Sequence, residues 1–561
     1  MKYANWKVPA AGPHIPRPLT DAGCAPLLAA MLALRGFEDV ESARAFIRGG
    51  PDQLSDPLQL TDMVNAVQRL SRAIATGEHV AVYGDYDVDG ITAACLLADY
   101  LRGRGLTCEL YIPDRLAEGY GMNTEAIDEL AARGVTLIVT VDCGVTNIEE
   151  TAYAASLGMD MIITDHHECR EALPEAEAVV DPKRPDGDGE GQYLAGVGVA
   201  FKLVCAMDGD GAKMLERYGD LVAVGTVADV MPLVGENRYI TSYGLRQISR
   251  GKCRPGFRAL IQETGVGDKR LTASVIGYSL APRINAAGRL GRTRLAVRLL
   301  ETSDRREAEM LAAELCTQNR QRQELELGIW KEAVAQLGGR RPTEPIVLAG
   351  EGWHPGVIGI VASRLTDAYG VPAVMICLDG DIGKGSCRSV GSFNLYEALS
   401  ECADCLEGFG GHAMAAGITV RAGMVDTLRQ KLGDYYREHP DSESPALTAD
   451  LTVDDAELLS LECVESLEWL EPCGNANPRP QLYMDGARLE ALTPIGTGKH
   501  LRLRLSALGE SFDCVFFSQT PDRLGARPGD IVDIIFTPQI NEFRSRRSVQ
   551  LVRADLRRHR D

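Results

Sequence analysis

Residues 79–90 read HVAVYGDYDVDG, and they indicate an α/β fold for the first large domain. The first five residues are a short apolar run, which predicts a buried strand over His79–Tyr83. Three aspartates follow at alternate positions within Asp85–Asp89. The next segment, Ile91–Leu101, has the length and composition of a helix. This order predicts the first unit of a parallel α/β sheet, with the aspartates at the carboxyl end of its strand.

The alternation of strands and helices continues beyond this loop. Helical composition recurs at Thr124–Arg133 and Thr151–Leu157, between short apolar runs. Those runs predict strands at Cys108–Ile112, Val135–Val141 and Asp160–Thr164, with a further strand at Val179–Val180. Strands that alternate with helices imply a parallel sheet with right-handed crossovers.

The remaining chain contains three further regions. A polar stretch from Ser303 to Leu337 has almost no glycine, so we predict a helix that connects two domains. A second α/β unit follows, with a helix at Val357–Tyr369 between apolar runs. Short alternating segments from Ala446 onward predict a small antiparallel barrel. The predicted division is a helical region 1–70, a parallel-sheet domain 71–302, a connecting helix 303–340, a second α/β domain 341–440 and a barrel 446–561.

The composition of the 561-residue chain excludes a membrane span but decides little else. The net charge of −20 is an average over domains, whereas nucleic-acid binding depends on local patches such as the arginine-rich residues 541–561. No run of 18 apolar residues occurs, and the first residues lack a signal-peptide core. Fifteen cysteines without an export signal are typical of reduced thiols, so we predict a cytoplasmic protein.

Aspartate and histidine side chains recur where we expect strands to end. After the acidic loop come Asp142, the triplet Asp165-His166-His167, and Asp229. We predict that all four features lie at the carboxyl ends of consecutive strands, where parallel sheets bind ligands. Carboxylates gathered at one edge repel each other unless cations neutralise them. Oxygen ligands with an imidazole suit Mn²⁺ or Mg²⁺, and two such ions can promote attack on a phosphodiester.

Each of these features alone has a simpler explanation. An aspartate after a strand is usually a helix cap, and adjacent histidines are usually surface or core residues. The acidic loop also looks like half of a calcium loop, but the glutamate required at the twelfth position is replaced by Leu96. Four such features together are hard to attribute to capping, and we therefore interpret them as a metal site.

These motifs resemble the DHH phosphoesterase superfamily, which takes its name from the triplet seen here at 165–167. The resemblance implies that Asp85 and Asp142 belong to the catalytic group, Asp85 as a ligand or as a neighbour of the ligands. It also implies that His167 contacts the phosphate or helps to stabilise the transition state. The implied ligands of a two-metal Mn²⁺ or Mg²⁺ site are Asp87, Asp89, Asp142, His166 and Asp229.

Three later segments resemble a DHHA1 domain, namely residues 354–365, HPGVIGIVASRL, residues 385–389, GSCRS, and residues 409–417, FGGHAMAAG. Glycines let backbone N–H groups approach an anion, and Arg388 can bind a phosphate through two parallel hydrogen bonds. Taken alone, the GSCRS segment would fit a turn with a surface arginine equally well.

A narrower resemblance, to the RecJ family of this superfamily, covers nearly the whole chain from about residue 50. It is carried by residues 113–121, 281–290 and 472–478 and by the barrel-like end, which resembles an oligonucleotide-binding (OB) barrel. Two residues depart from the pattern: Cys473 stands where a larger side chain is expected, and Ala476 stands where glycine is commoner. The implied substrate-binding residues are Arg115, Ser386 and Arg388 for the 5′-phosphate, Arg283 and Arg289 along the path of the strand, and His412.

The resemblance implies an α/β fold in which a DHH parallel-sheet domain and a DHHA1 domain are joined by a long helix and followed by an OB-like barrel. The implied activity is a metal-dependent 5′→3′ exonuclease that degrades single-stranded DNA to 5′-mononucleotides in repair and recombination. We expect a monomer with helicase or single-strand-binding protein partners. One alternative is a phosphodiesterase of short oligonucleotides or cyclic dinucleotides, which would not need the barrel. The other is a non-catalytic replication scaffold, which should have lost the metal ligands that this chain keeps.

Overall fold

A computed structural model describes residues 5–10, 12–114, 118, 121–189, 191–267, 270–439, 446–496, 498–543 and 546–559. The chain forms two compact units, one made of residues 1–52 with 443–561 and the other of residues 53–442. The five-part division predicted from the sequence stays a prediction at its boundaries. Within the described ranges, no helix is both long enough and apolar enough to cross a bilayer.

The N-terminal segment of the first unit contains one strand and three helices: β1 (Asn5–Lys7), α1 (Arg17–Asp21), α2 (Pro26–Ala33) and α3 (Val40–Arg48). Helix α2 is apolar along its whole length, and its residues from Leu27 to Leu32 are buried. Helix α3 begins at Asp39, whose carboxylate accepts the N–H groups of Glu41 and Ser42.

The second unit opens with the predicted parallel sheet. Its elements are α4 (Met63–Thr76), β2 (His79–Gly84), α5 (Val88–Gly103), β3 (Thr107–Tyr111), α6 (Thr124–Ala132), β4 (Leu137–Val141), α7 (Ile148–Ser156), β5 (Asp160–Thr164) and β6 (Ala178–Val180). All the strands pair in parallel, in the order β3-β2-β4-β5-β6. The side chains of β4 are buried on both faces, which is why its sequence is apolar without alternation.

Helices then enclose one side of this sheet. They are α8 (Gly196–Asp208), α9 (Gly211–Ala228), α10 (Gly235–Ser249), α11 (Pro255–Glu263), α12 (Ala273–Val275), a π-helical turn (Ile276–Leu280), α13 (Ala281–Arg289) and α14 (Thr293–Glu301). The prediction that Asp229 follows a strand is wrong, because Asp229 caps the C-terminus of the 18-residue helix α9. Most of α9 is buried, and the sequence of a buried helix can show the same short apolar run as that of a buried strand.

The connecting helix is confirmed as α15 (Arg305–Gln336), which starts at the N-cap residue Asp304. It leads into a second sheet whose elements are β7 (Ile346–Glu351), α16 (Pro355–Tyr369), β8 (Ala373–Asp379), β9 (Ile382–Arg388), α17 (Leu395–Ser400), β10 (Gly408–Gly411), β11 (Ala415–Arg421) and α18 (Val425–Glu438). The strand order is β10-β11-β9-β8-β7, with β7 and β8 parallel and the other pairs antiparallel.

The predicted C-terminal barrel belongs to the first unit. Its elements are β12 (Ala446–Thr448), β13 (Leu451–Thr452), α19 (Leu461–Ser466), β14 (Leu482–Ile495), β15 (His500–Ala507), β16 (Glu510–Phe516), α20 (Pro521–Leu524), β17 (Ile531–Phe543) and β18 (Arg546–Arg558). Pairing of β14 with β17 closes the barrel. The prediction that the barrel is antiparallel is wrong for one pair, because β16 and β18 run parallel, and alternation within a strand does not encode the direction of its partner. Along β15, Leu501, Leu503 and Leu505 are buried while the arginines between them are exposed. The predicted fold class is therefore confirmed.

The two ends of the chain share one core in this unit. Strand β1 pairs in parallel with β12, so that Asn5–Lys7 lie opposite Ala446–Thr448. Helix α2 packs into the same hydrophobic cluster as the barrel strands. Residues Phe512 and Phe516 are part of that core, as alternating aromatic residues in a barrel usually are, whereas Phe517 is exposed.

Replacing Ala476 by glycine is expected to stabilise the first unit by about 0.5–1 kcal/mol. Ala476 lies in a tight turn in which Gly474 and Asn477 exchange backbone hydrogen bonds, and its φ of 57° favours glycine. Denaturant unfolding of the whole protein would measure the change. Ala45→Gly, in the ordinary helical backbone of α3, should instead lose about as much. A loss at both positions would contradict the prediction.

Candidate metal centre and substrate site

The acidic loop lies between β2 and α5, as the sequence predicts. Asp87 is the N-cap of α5, and its Oδ1 accepts the N–H groups of Asp89 (2.8 Å) and Gly90 (3.1 Å). The helix-cap explanation is therefore correct for Asp87, although it does not exclude a second role for this carboxylate. Gly90 allows the loop to fold back, because a Cβ atom there would lie 2.5 Å from the backbone oxygen of Asp85.

Asp89 is buried in the first turn of α5 and faces the N-terminus of α8. Its Oδ2 accepts the N–H group of Gly196 (2.6 Å), and its Oδ1 accepts the N–H group of Val197 (2.9 Å). The unsatisfied N–H groups at a helix N-terminus favour a negative charge, so these two bonds stabilise Asp89 as a carboxylate. Gly225 of α9 also approaches closely, since a Cβ atom there would lie 3.0 Å from Asp89 Oδ1.

Backbone strain occurs at two positions beside the cluster. Asp142, directly after β4, has a φ of 60°, and Val230, directly after Asp229, has a φ of 58°. Left-handed backbone is unusual for aspartate and a clear outlier for a β-branched residue. Strain of this kind occurs at functional sites where the surroundings impose a side-chain direction. Asp142 is closely surrounded, because a Cβ atom added to Gly196 would lie 2.5 Å from the Cβ atom of Asp142.

The members of the triplet after β5 have different roles. Asp165 Oδ2 accepts the N–H group of Val145 (3.0 Å), and its Oδ1 accepts the N–H group of His166 (2.8 Å). The same Oδ1 lies 2.7 Å from His167 Nδ1, which orients the imidazole ring of His167. Asp165 thus holds the loop and a histidine ring, a role that we did not assign to it from the sequence.

The structure brings seven of the predicted residues into one cluster. His166 Nε2 is at its centre, 3.0 Å from Asp142 Oδ1, 3.6 Å from Asp229 Oδ2 and 3.7 Å from Asp89 Oδ2. Three overlapping groups have ligand atoms within 4.8 Å of one another: Asp85, Asp87 and Asp142; Asp89, His166 and Asp229; and Asp142, His166 and His167. Asp142 therefore belongs both to the group with the acidic loop and to a group with the histidines.

The electrostatics of the cluster favour bound cations. Burial first, and then the neighbouring carboxylates, raise the pKa of Asp89 and Asp142 well above the usual range. Burial and Asp87 raise the pKa of Asp229 to about 7. Burial lowers the pKa of His166 to about 3, so its ring is neutral and can act as a ligand. Within the described chain its buried Nε2 makes no hydrogen bond, which suits a nitrogen that coordinates a metal.

Adding Mn²⁺ to metal-free protein is expected to stabilise it, because the bound ions relieve the repulsion among these carboxylates. At a hundredfold excess over Kd the gain would be about 2.7 kcal/mol, which should raise the unfolding midpoint by several degrees. Differential scanning calorimetry with and without a chelator would measure the shift. Asp142→Asn should show a smaller shift, and an equal shift in that variant would contradict this assignment.

Helix α13, which carries Arg283 and Arg289, braces the acidic loop. Asn285 Oδ1 accepts the N–H group of Val88 at 3.2 Å. At Gly288 a Cβ atom would lie 2.3 Å from the backbone oxygen of Tyr86, so the helix can approach this closely only with glycine there. Arg289 Nη1 donates to the backbone oxygen of Gly356 at the start of α16 (3.1 Å), and Arg283 donates to that of Ser279.

Two of the predicted phosphate-binding residues lie close together on the second sheet. Ser386 and Arg388 lie two residues apart on β9, and Arg388 Nη1 donates to Ser386 Oγ at 3.2 Å. Gly359 of α16 packs over them, since a Cβ atom there would lie 2.8 Å from Ser386 Oγ. His412 is exposed just after β10. Arg115 lies outside the described residues.

Sequence reasoning missed a cation beside the metal centre. Lys183 follows β6, and its charge lowers the pKa of both Asp229 and His166, although burial dominates both shifts. Its Nζ also lies 3.2 Å from Glu168 Oε1. The signal was available, because β6 ends at the same sheet edge as β5 and residues 181–183 read Asp-Pro-Lys. Lys183 is therefore a further group that could face a bound anion.

Comparison with known proteins first identifies the class that this fold and site define. Family models match at three places: the DHH family N-terminal domain at residues 79–226, the DHHA1 domain at 343–438 and the RecJ OB domain at 449–555. The chain is thus a DHH phosphoesterase with a DHHA1 domain and an OB barrel.

Individual relatives narrow this class to one family. The single-stranded-DNA-specific exonuclease RecJ of Bacillus subtilis is 39% identical over 94% of this chain and 68% of its own length. The RecJ of Dickeya dadantii is 36% identical over 94% of this chain and 95% of its own length. The chain belongs to the RecJ family.

A solved structure extends the similarity to three dimensions. The crystal structure of Thermus thermophilus RecJ in complex with Mn²⁺ superposes with a TM-score of 0.85 at 30% identity, covering 99% of this chain and 80% of that one. The corresponding Mg²⁺ complex gives a TM-score of 0.79 at 29% identity, covering 99% and 79%. The metals of these complexes are those predicted here, and the acidic cluster of this chain is suited to the same ions.

Proposed function

We propose that this protein is a metal-dependent 5′→3′ exonuclease that degrades single-stranded DNA to 5′-mononucleotides during repair and recombination. The observation that carries the proposal is the cluster of five aspartates and two histidines, four of them buried, at the carboxyl ends of the parallel strands and the end of α9. Relatives named as single-stranded-DNA-specific exonucleases, similar over nearly the whole chain, support the substrate. The polarity and the product follow from the family resemblance.

We assign the metal ligands to two neighbouring groups, with Asp142 of one group 3.0 Å from His166 of the other. One ion would be held by Asp87 and Asp142 with Asp85 beside them, and the other by Asp89, His166 and Asp229. When bound, the two ions would supply a polarised water and stabilise the charge that develops on the phosphate oxygens. Because Nδ1 of His167 is bonded to Asp165, a contact of His167 with the phosphate would be made through Nε2.

A terminal 5′-phosphate would dock on Ser386 and Arg388, with Arg115 as a further contact. Arg388 keeps the charge and the planar donor geometry that bind a phosphate through two hydrogen bonds. Arg283, Arg289 and His412 would contact the strand further along. The OB barrel would hold the remaining single strand, since such barrels combine basic grooves with stacking platforms. Phe517 lies just after β16, and its exposed ring is a candidate for such a platform.

The test is a time course on single-stranded DNA labelled at one end, with Mn²⁺ and either a 5′-phosphate or a 5′-hydroxyl. Mononucleotides released from the 5′ end would support the proposal and its polarity together. A dinucleotide substrate is run alongside. Cleavage of the dinucleotide alone would favour the short-substrate phosphodiesterase, and binding of the long strand without cleavage would favour a scaffold.

Replacing Arg388 by glutamine is expected to reduce cleavage of 5′-phosphorylated DNA by about 10–100-fold and to change cleavage of 5′-hydroxyl DNA little. This range corresponds to the loss of a charge-assisted hydrogen bond of about 1.5–3 kcal/mol. The ratio of kcat/KM for the two substrates measures the effect. Lys384→Gln removes a charge from the same strand and face, and should leave the ratio unchanged. An equal loss on both substrates would remove Arg388 from the phosphate site.

We further propose that the protein acts as a monomer in the cytoplasm, alongside a helicase or a single-strand-binding protein. All fifteen cysteines are free of disulfides, which suits a reducing compartment. Size-exclusion chromatography with light scattering would test the monomer, and a dimer mass would reject it.

A further inference from the structure

A cavity lies in the parallel-sheet part of the larger unit, away from the metal centre. It encloses about 750 Å³ and is lined by the C-terminal half of α5, the N-terminal half of α9, the segment from the end of α10 to the start of α11, and residues 300–303 at the end of α14. This volume is within the range of about 300–1,000 Å³ found for small-molecule sites.

The same helices run from the metal centre to this cavity, which fixes how far apart the two sites are. Helix α5 carries Asp89 at the metal centre and Asp99 at the cavity, ten residues further on. Helix α9 carries Asp220 at the cavity and ends at Asp229. At 1.5 Å per residue both separations are about 14–15 Å, so a molecule in the cavity would not touch the metal ligands.

Three of the four carboxylates that line the cavity are already neutralised by ion pairs. Asp99 lies 2.8 Å from Arg217, and Glu301 lies 2.5 Å from Arg102. Asp220 forms a third pair, with Arg254. Only Glu216 of the lining carboxylates has no ion pair within the described chain.

Three more cationic side chains line the cavity and are not neutralised by ion pairs with described carboxylates. Arg246, Arg250 and Lys252 lie on the last turn of α10 and the loop after it, and none of them forms an ion pair with a described carboxylate. The cavity wall thus carries six cations and four anions. In a chain of net charge −20, a concave surface with this excess is a site for an anion.

Next to these cations the lining offers an aromatic ring. The ring of Tyr243 lines the cavity one turn before Gln247. The Nε2 of Gln247 donates to the backbone oxygen of Glu216, which fixes this amide in the wall of the cavity.

Close packing of two helices keeps this wall in place. At Gly244 of α10 a Cβ atom would lie 2.2 Å from the backbone oxygen of Gly219 in α9. A Cβ atom on Gly219 would in turn lie 3.0 Å from Gln247 Oε1 and 3.2 Å from the ring of Tyr243. The two glycines thus let α9 and α10 approach closely and hold Tyr243 and Gln247 beside the cavity.

We propose that this cavity binds a nucleoside phosphate at a site separate from the metal centre. The phosphates would be bound by Arg246, Arg250 and Lys252, and the base would stack on Tyr243. Inorganic phosphate alone would satisfy the cations but would leave the aromatic ring without a ligand contact.

Isothermal titration calorimetry of the full chain with ADP, in the presence of a chelator, tests this proposal. We expect ADP to bind with a stoichiometry of one to protein carrying Arg388→Gln, in which the proposed phosphate site of the second sheet is disabled. Adding Arg250→Gln and Lys252→Gln should weaken ADP binding at least about tenfold, because two charge-assisted contacts are lost. Adding Arg305→Gln and Arg306→Gln instead removes the same charge from the exposed start of α15, and should leave the affinity unchanged.

Pyrophosphate and adenosine separate the contributions of the phosphates and the base. We expect ADP to bind more tightly than either, and Tyr243→Ala to abolish the advantage of ADP over pyrophosphate. Equal affinity for ADP and pyrophosphate would overturn the base contact. No binding of ADP up to about 10 mM, or equal binding to the cavity variant and its charge-matched control, would overturn the site itself. Hydrolysis of single-stranded DNA by each cavity variant would verify that it is folded.

Discussion

Asp142→Ala is expected to lower the turnover of single-stranded DNA by about 10³-fold or more, while the protein still binds the strand. Asp142 belongs to two of the overlapping ligand groups and lies 3.0 Å from His166 Nε2, so its loss affects both halves of the cluster. The other aspartates each belong to one of the three ligand groups. The effect should therefore exceed that of losing any one of them.

Single-turnover cleavage with Mn²⁺ measures this loss, and fluorescence anisotropy of a labelled strand measures binding. Asp128→Ala is a suitable control, because it removes an exposed carboxylate of α6 on the same unit. Residual activity within tenfold of the wild type in Asp142→Ala would show that this cluster is not the catalytic centre.

Asp165→Asn is expected to lower kcat by about 10²–10³-fold with little change in Mn²⁺ affinity, because Asp165 orients His167 rather than joining the ligand groups. Asparagine keeps the size of the side chain but replaces one acceptor oxygen with an NH₂ group. Oδ2 of Asp165 accepts the N–H group of Val145, and Oδ1 accepts those of His166, His167 and the His167 ring, so at least one of these bonds must be lost.

A double-mutant cycle distinguishes this positioning role from a general loss of structure. Once His167→Ala has removed the ring, Asp165→Asn should cost little more, because the two side chains act as a unit. If the two losses multiply, Asp165 acts independently of His167, and the assignment of Asp165 as a positioning residue fails. Calorimetric titration with Mn²⁺ on each variant checks that the metal centre is intact.

Much of the site could be predicted because its residues follow strands of one parallel sheet. The positions of Asp85, Asp142 and the triplet at 165–167 depend only on where the apolar runs end, and such runs are visible in a sequence. The barrel could be predicted equally well, because the alternation of apolar and polar residues along β15 reflects one buried and one exposed face. The resemblance to a family supplied the roles that spacing alone cannot give.

The features of the site that could not be predicted from the sequence depend on tertiary contacts. Asp229 reaches the cluster from the end of a helix, and no local pattern distinguishes its apolar surroundings from a strand. Asp87 is both a helix cap and a member of a ligand group, so capping and metal binding are compatible at this position. The position of α13 beside the acidic loop depends on Gly288, whose contact partner is two hundred residues earlier in the chain.

The pairing of β1 with β12 has a consequence for the order in which the two units can fold during synthesis. Arg35 contacts Asn477, a residue 442 positions later, so the first fifty residues leave the ribosome long before their partners exist. At roughly 5–20 residues per second the delay is about 20–90 seconds. The intervening unit, residues 53–442, can fold during that time, while the apolar helix α2 has no barrel to cover it. The nascent chain therefore exposes a hydrophobic segment throughout most of translation, and chaperone capture of that segment is the expected result.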